Sequence, residues 1–403
     1  MSIGRKKFLS PLSQHLLFLS GMLVLASAAL VPGCASKTVE SSRPEITEEV
    51  EKLVEQLKSE DPEQRTQAAI ALVDHPAQAA NFVQPLVSLL FDEKYNPKLA
   101  ASMVFQELGA ESVDSILELL RSGDLTNYKR ACEAIYSMGK EAEPLIPELV
   151  IGMNSSEPKM RQAATYAMIP MEELAVPHLD KIVDMLDEKD FRTHVFACRA
   201  IIGMGPLAKD AAPRLVELAD DGVLSSRSYS YWALGAIGPV EGVDTIELLV
   251  TKLDATMQPE RDRALRGLGL MGADAKAATE KVRALASDER GNVEPVAALC
   301  LWQITGEAEE SVELLLNLTE NMTHQFTALE CLVQMGEDVK SGEAFFIEQL
   351  DNHDESIREV AIKCLRNCKT NSMEAIEKIQ IIANEDPDMV IRLIAAKALE
   401  SLK

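Results

Sequence analysis

The sequence predicts an all-α chain, a solenoid of about eleven helical hairpins. Three observations carry that expectation. A small residue leads an amphipathic helix again and again, at steps of 30 to 34 residues. A second amphipathic helix precedes each of these, with a short turn on either side. Hydrophobic residues make up 47 % of the chain but aromatics only 4 %, so Ala and Leu fill the core, as closely packed helices prefer.

The elements follow in chain order. Residues 1–15 are basic through Arg5, Lys6 and Lys7, and Leu16–Val31 carries no charge. Such a basic n-region and apolar h-region read as an export signal over residues 1–33, the 16-residue uncharged run being short for the roughly 20 residues a membrane-spanning helix needs. The run ends in "VPGC", where Val31, Gly33 and Cys34 resemble the bacterial lipobox; Pro32 departs from its usual Ala, Ser or Thr. The resemblance implies lipidation of Cys34 and a membrane-attached lipoprotein of the bacterial cell envelope, facing periplasm or exterior. Ordinary cleavage nearby and an uncleaved anchor are the other two readings of the same stretch. Residues 34–48, polar and Pro-containing, are expected to form a tether, and 49–403 the solenoid.

The repeat is read from "AASMVFQELG", where Ala101, Val104, Phe105 and Leu108 share one helical face. The template recurs as Ala131/Ala134/Ile135/Met138 and onward to Ala395/Ala398/Leu399/Leu402, with Ser230 the one leading residue that is not Ala. The preceding helices show Val113/Ile116/Leu117/Leu120 and Ile246/Leu249/Val250/Leu253. Asp61-Pro62 and Asp386-Pro387 are expected to cap helix starts, and Gly109, Gly139, Gly205, Gly238 and Gly272 to supply left-handed C-caps. Repeats four and ten lack that glycine, so different turns are expected there. A hairpin of this size cannot bury its apolar faces alone and must stack on its neighbours.

With "GPLAKDAAPRLVEL" (Gly205–Leu218) and "GADAKAATEKVRAL" (Gly272–Leu285) the pattern resembles HEAT repeats, of the short kind also found in phycobilisome lyases. The resemblance implies a right-handed α–α superhelix whose second helices line the concave surface, with Asp and Arg forming a ladder between repeats. Arg65, Arg161, Arg227, Arg261, Arg358 and Arg392 stand three residues before the small position. Several have an acid four residues earlier, such as Asp61, Glu157, Asp354 and Asp388, which predicts ion pairs within the helix. Landmarks of TPR and ankyrin repeats are missing.

Formal charge is −24, and −27 without the first 33 residues, which argues against nucleic acid as a partner. An acidic surface serves solubility or attracts basic partners. No cofactor or metal site is expected: no CxxC, HExxH, GxSxG or Walker loop is present, and none of the His-Glu pairs that bind di-iron in the HEAT-like deoxyhypusine hydroxylases. The six cysteines after Cys34 are expected as buried free thiols. The chain is therefore read as no enzyme.

One pattern rises above this background. Two residues after the small position, on the side facing away from the core, stand Tyr166, Arg199, Trp232 and Arg266, at intervals of 33, 33 and 34. Phe196, Tyr229, Tyr231 and Arg263 flank them. An aromatic and basic stripe on so acidic a chain predicts a binding groove for a protein or peptide, since Trp, Tyr and Arg dominate binding energy. A spacer role in the envelope and a lyase-like or cofactor-chaperone activity are the alternatives. The last core position, Leu402, leaves self-association through solenoid ends open.

Overall fold

The computed structural model describes residues 46–288 and 292–402. The expected signal segment, Cys34 and most of the expected tether lie outside them. Two compact units divide the chain after Leu149. Both are built from helical hairpins, and the described residues contain no strand, only an isolated bridge between Val240 and Val243. None of the described helices is long and apolar enough to cross a membrane.

Eleven second helices are found among the described residues. In the first unit they are α1 (Pro62–Leu72), α2 (Tyr95–Leu108) and α3 (Leu125–Met138). In the second they are α4 (Pro158–Ala167), α5 (Phe191–Met204), α6 (Leu224–Ile237) and α7 (Gln258–Met271), then α8 (Glu294–Thr305), α9 (Gln325–Gln334), α10 (Glu355–Asn367) and α11 (Met389–Ser401). From the second repeat to the tenth, every residue of the small-residue template is buried. The hairpin stack predicted from the sequence is thus the architecture, and it begins at Glu48, where Thr47 caps the first helix by accepting from the Val50 amide.

Within residues 150–402, each second helix from α4 to α11 packs directly on the next, while the first helices of successive hairpins touch far less. The second-helix layer is therefore the inner one. Its tightest joint lies between α6 and α7. A Cβ built on Gly235 would fall 2.2 Å from the Gly267 Cα, and one on Gly267 would fall 2.8 Å from the Tyr231 carbonyl oxygen. Backbone meets backbone there, which only glycine allows.

Four of the six arginines form a ladder by pairing with an acid of the next repeat. Asp61, Glu157, Asp354 and Asp388 each accept from an amide in the first turn of their helix, acting as N-caps. The guanidinium instead reaches forward to the next repeat: Arg65 to Asp92 at 2.7 and 3.0 Å, Arg161 to Glu188, Arg227 to Glu260 at 2.9 Å, Arg358 to Asp386 at 2.8 Å twice. It also donates backwards to a turn carbonyl, Ser59 for Arg65 and Asn352 for Arg358. The caps hold the carboxylates on the amides, so the side chain finds its partner one hairpin away. Asp386 is accordingly not the N-cap expected from Asp386-Pro387. It receives Arg358 and the Asp388 amide, and Asp388 caps α11.

Turn geometry corrects a second expectation. Gly109, Gly139, Gly205, Gly238 and Gly272 do have positive φ, but their ψ values run from −126° to −155°, outside the left-handed helical region. In repeat four Glu172 occupies the equivalent position at φ 47° and ψ −123°, so the turn is the same without its glycine. Repeat ten does differ: Lys369 has φ 51° and the Thr370 amide donates to the Leu365 carbonyl at 3.0 Å, a Schellman closure.

Candidate functional site

The stripe residues all project from consecutive helices of the second unit's inner layer. Tyr166 stands on α4, Arg199 on α5, Trp232 and Tyr229 on α6, and Arg263 and Arg266 on α7; all six are half-buried. Tyr166 meets Phe196 of α5 with ring centroids 5.2 Å apart. Arg199 stands on the same helix as Phe196, between α4 and the helices of the next cluster.

That cluster is the centre of the face. The Arg263 guanidinium sits 4.5 Å from the Tyr229 ring centroid and 5.1 Å from that of Trp232, while Arg266 lies 5.4 Å from Trp232. The two rings are themselves 6.0 Å apart. Guanidinium faces attract ring faces electrostatically, more strongly where water is excluded. Arg263 donates to the Tyr229 hydroxyl at 3.1 Å and to Asp262, and Arg266 donates to the same Asp262 oxygen at 3.1 Å. The close joint at Gly235 and Gly267 is what lets α7 deliver its arginines onto the rings of α6.

Electrostatics follow from this crowding. Burial alone would raise the Asp262 carboxyl, but the charges of Arg266 and Arg263 outweigh it and hold it below the ordinary aspartate range. Glu330 on α9 goes the other way. Burial pushes it up, against the opposing pull of Arg266 and of Lys363 on α10. The inner face thus brings α7, α9 and α10 within electrostatic reach of one another.

Tyr231 does not flank the stripe. It is fully buried, and its hydroxyl donates to the Ala219 carbonyl at 3.2 Å and to Glu260 at 3.4 Å. One residue from Trp232, it turns sideways into the joint between repeats rather than onto the face. Asp262 and Glu330 were missed by the sequence reading. Continuing the same register past Arg266 gives Leu299, Glu330 and Lys363, which was the available signal for the second; Asp262 carried none.

All six cysteines of the described residues are buried free thiols, and burial pushes Cys331, the nearest to Arg266, up to about 12. No group of three or more His, Cys, Asp or Glu side chains among the described residues could hold a metal ion.

No family model and no curated protein matches the chain. Among solved structures it is similar to the complex of CpcE and CpcF of phycocyanin lyase from Nostoc, at 18 % identity and a TM-score of 0.36, over 72 % of this chain and 100 % of that one. It is also similar to Kap121p, at 14 % identity and a TM-score of 0.40, over 90 % of this chain, which spans 46 % of Kap121p.

Proposed function

We propose that the chain is an exported, lipid-anchored scaffold that binds a protein or peptide partner through the inner face formed by α4 to α7. The observation that carries the binding half is the cluster of Tyr229, Trp232, Arg263 and Arg266, three residue types that dominate interface energies, gathered from two helices onto one face. A solenoid suits such a role because its inner layer offers contact area without any change of fold. Support for export comes from the sequence alone, from the basic start, the uncharged run and the "VPGC" ending.

The double substitution Trp232→Ala with Arg199→Ala is the test. It removes two half-buried side chains from the face and none of the template residues. Crosslinked partner recovered from cells is expected to be lost while the helical circular dichroism signal and melting midpoint persist. Unchanged recovery removes the binding face from consideration. Mass spectrometry of the mature N-terminus is expected to find an acylated Cys34.

A further inference from the structure

The rings at the centre of this site already carry guanidinium groups of the chain itself. Arg263 lies over both Tyr229 and Trp232, and Arg266 approaches Trp232 as well. A cationic ligand would therefore meet two guanidinium groups already placed on these rings, and an apolar one would bury those groups against nothing. What the site presents is N–H edges. Each guanidinium carries five donors. Among the described residues the pair donates three hydrogen bonds, two of them to the single carboxylate of Asp262. Two fixed cations share one anion through hydrogen bonds, and the other acid that acts on Arg266, Glu330, is shared with Lys363, so cations outnumber carboxylates around the cluster.

We propose that this face takes an extended peptide through its aspartate or glutamate carboxylates, with Arg263 as the anchor, Arg266 beside it and Arg199 farther along the stripe on α5. The inference rests on the binding reading given above and names its partner class. Arg263 is held in place by the two rings and the Tyr229 hydroxyl, so little side-chain freedom is lost when a carboxylate arrives. Both side chains are 18 % exposed, enough for an approaching oxygen and too little for full hydration. Charge-assisted, paired N–H···O bonds are the strong kind under such shielding. A polyphosphate strand meets the same cluster but must approach a chain of charge −24 with every residue charged. A peptide with one or two acids is repelled far less.

The experiment pans a phage library of random dodecapeptides on the folded chain and measures the selected peptides by fluorescence anisotropy. Selected peptides are expected to be enriched in Asp and Glu over the library. Arg263→Gln is expected to weaken them about tenfold or more, the loss of one anchoring contact of ~1.4 kcal/mol. Asp262→Asn, which removes the internal competitor for the guanidinium groups, is expected to tighten them, and it serves as the test if Arg263→Gln fails to fold. Selection of neutral or basic peptides, of none at all, or of acidic ones indifferent to both substitutions overturns the inference. Neutral peptides that bind the native chain but not the Trp232→Ala, Arg199→Ala variant would sink this inference and leave the binding face standing. Peptides that bind both equally would sink the two together.

Discussion

Glu330 and Asp386 show how much a single carboxyl depends on what surrounds it. Burial raises the Glu330 carboxyl, so the folded chain holds its proton to higher pH than the unfolded chain does. Its contribution to stability is fully present below the unfolded value of about 4.3 and is lost as pH rises through the folded one. Glu330→Gln is therefore expected to leave the melting midpoint at pH 4 unchanged and to raise it at pH 7. Asp386 matters through its ion pair. It is 3 % exposed and takes both arms of Arg358, itself 10 % exposed. Asp386→Ala leaves a buried cation unpaired and is expected to cost about 3–5 kcal/mol in urea unfolding. Arg121, 61 % exposed in its pair with Glu148, is expected to cost less than about 1 kcal/mol when replaced by Ala. The geometry that separates these ion pairs is invisible in the sequence, because partner and burial are both set by a hairpin 27 or 28 residues away.

At the scale of helices and turns, the period of small residues is a packing requirement written in one dimension, and it made the eleven hairpins legible. Ala at the leading position is buried wherever two layers meet, so its spacing is the repeat itself. Lateral approach was not legible. Tyr229 and Tyr231 are two residues apart and look alike, yet one reaches the face and the other is sealed into the joint, because α6 and α7 close to glycine contact. Gly235→Ala is expected to force those helices apart, at about 1–3 kcal/mol, and to lower the affinity of any ligand of the Trp232 cluster. Turn geometry yields a gain instead. Glu172 sits at φ 47° and ψ −123°, a region that costs a side chain about 1–3 kcal/mol and glycine almost nothing. Glu172→Gly is expected to stabilise the chain by about 1 kcal/mol in the same unfolding assay. The strain escaped the sequence reading because absence of glycine there suggested another turn.

Over the molecule as a whole, charge decides how a partner arrives. A body of formal charge −24 repels an acidic peptide at distances beyond the Debye length, about 10 Å at 0.1 M salt, while the local cations act only on contact. Raising salt from about 0.05 to 0.3 M is expected to speed association of an acidic peptide in stopped-flow measurements, the reverse of ordinary electrostatic steering. A basic peptide should slow under the same change. The stripe's register was readable from the sequence, since three steps of 33, 33 and 34 residues place Tyr166, Arg199, Trp232 and Arg266 on successive helices. Its chemistry was not, because the placement of Arg263 over two rings needs the distance between helices as well as their order.

The meeting of Gly235 with Gly267 has a mechanical meaning too. Leucine or methionine between two helices acts as padding that gives when the array flexes; two bare main chains in contact have no such cushion. Bending within residues 150–402 is then expected to fall more on other seams, so that the patch straddling α6 and α7 moves as one piece, like jaws bolted to a plate rather than hung on a spring.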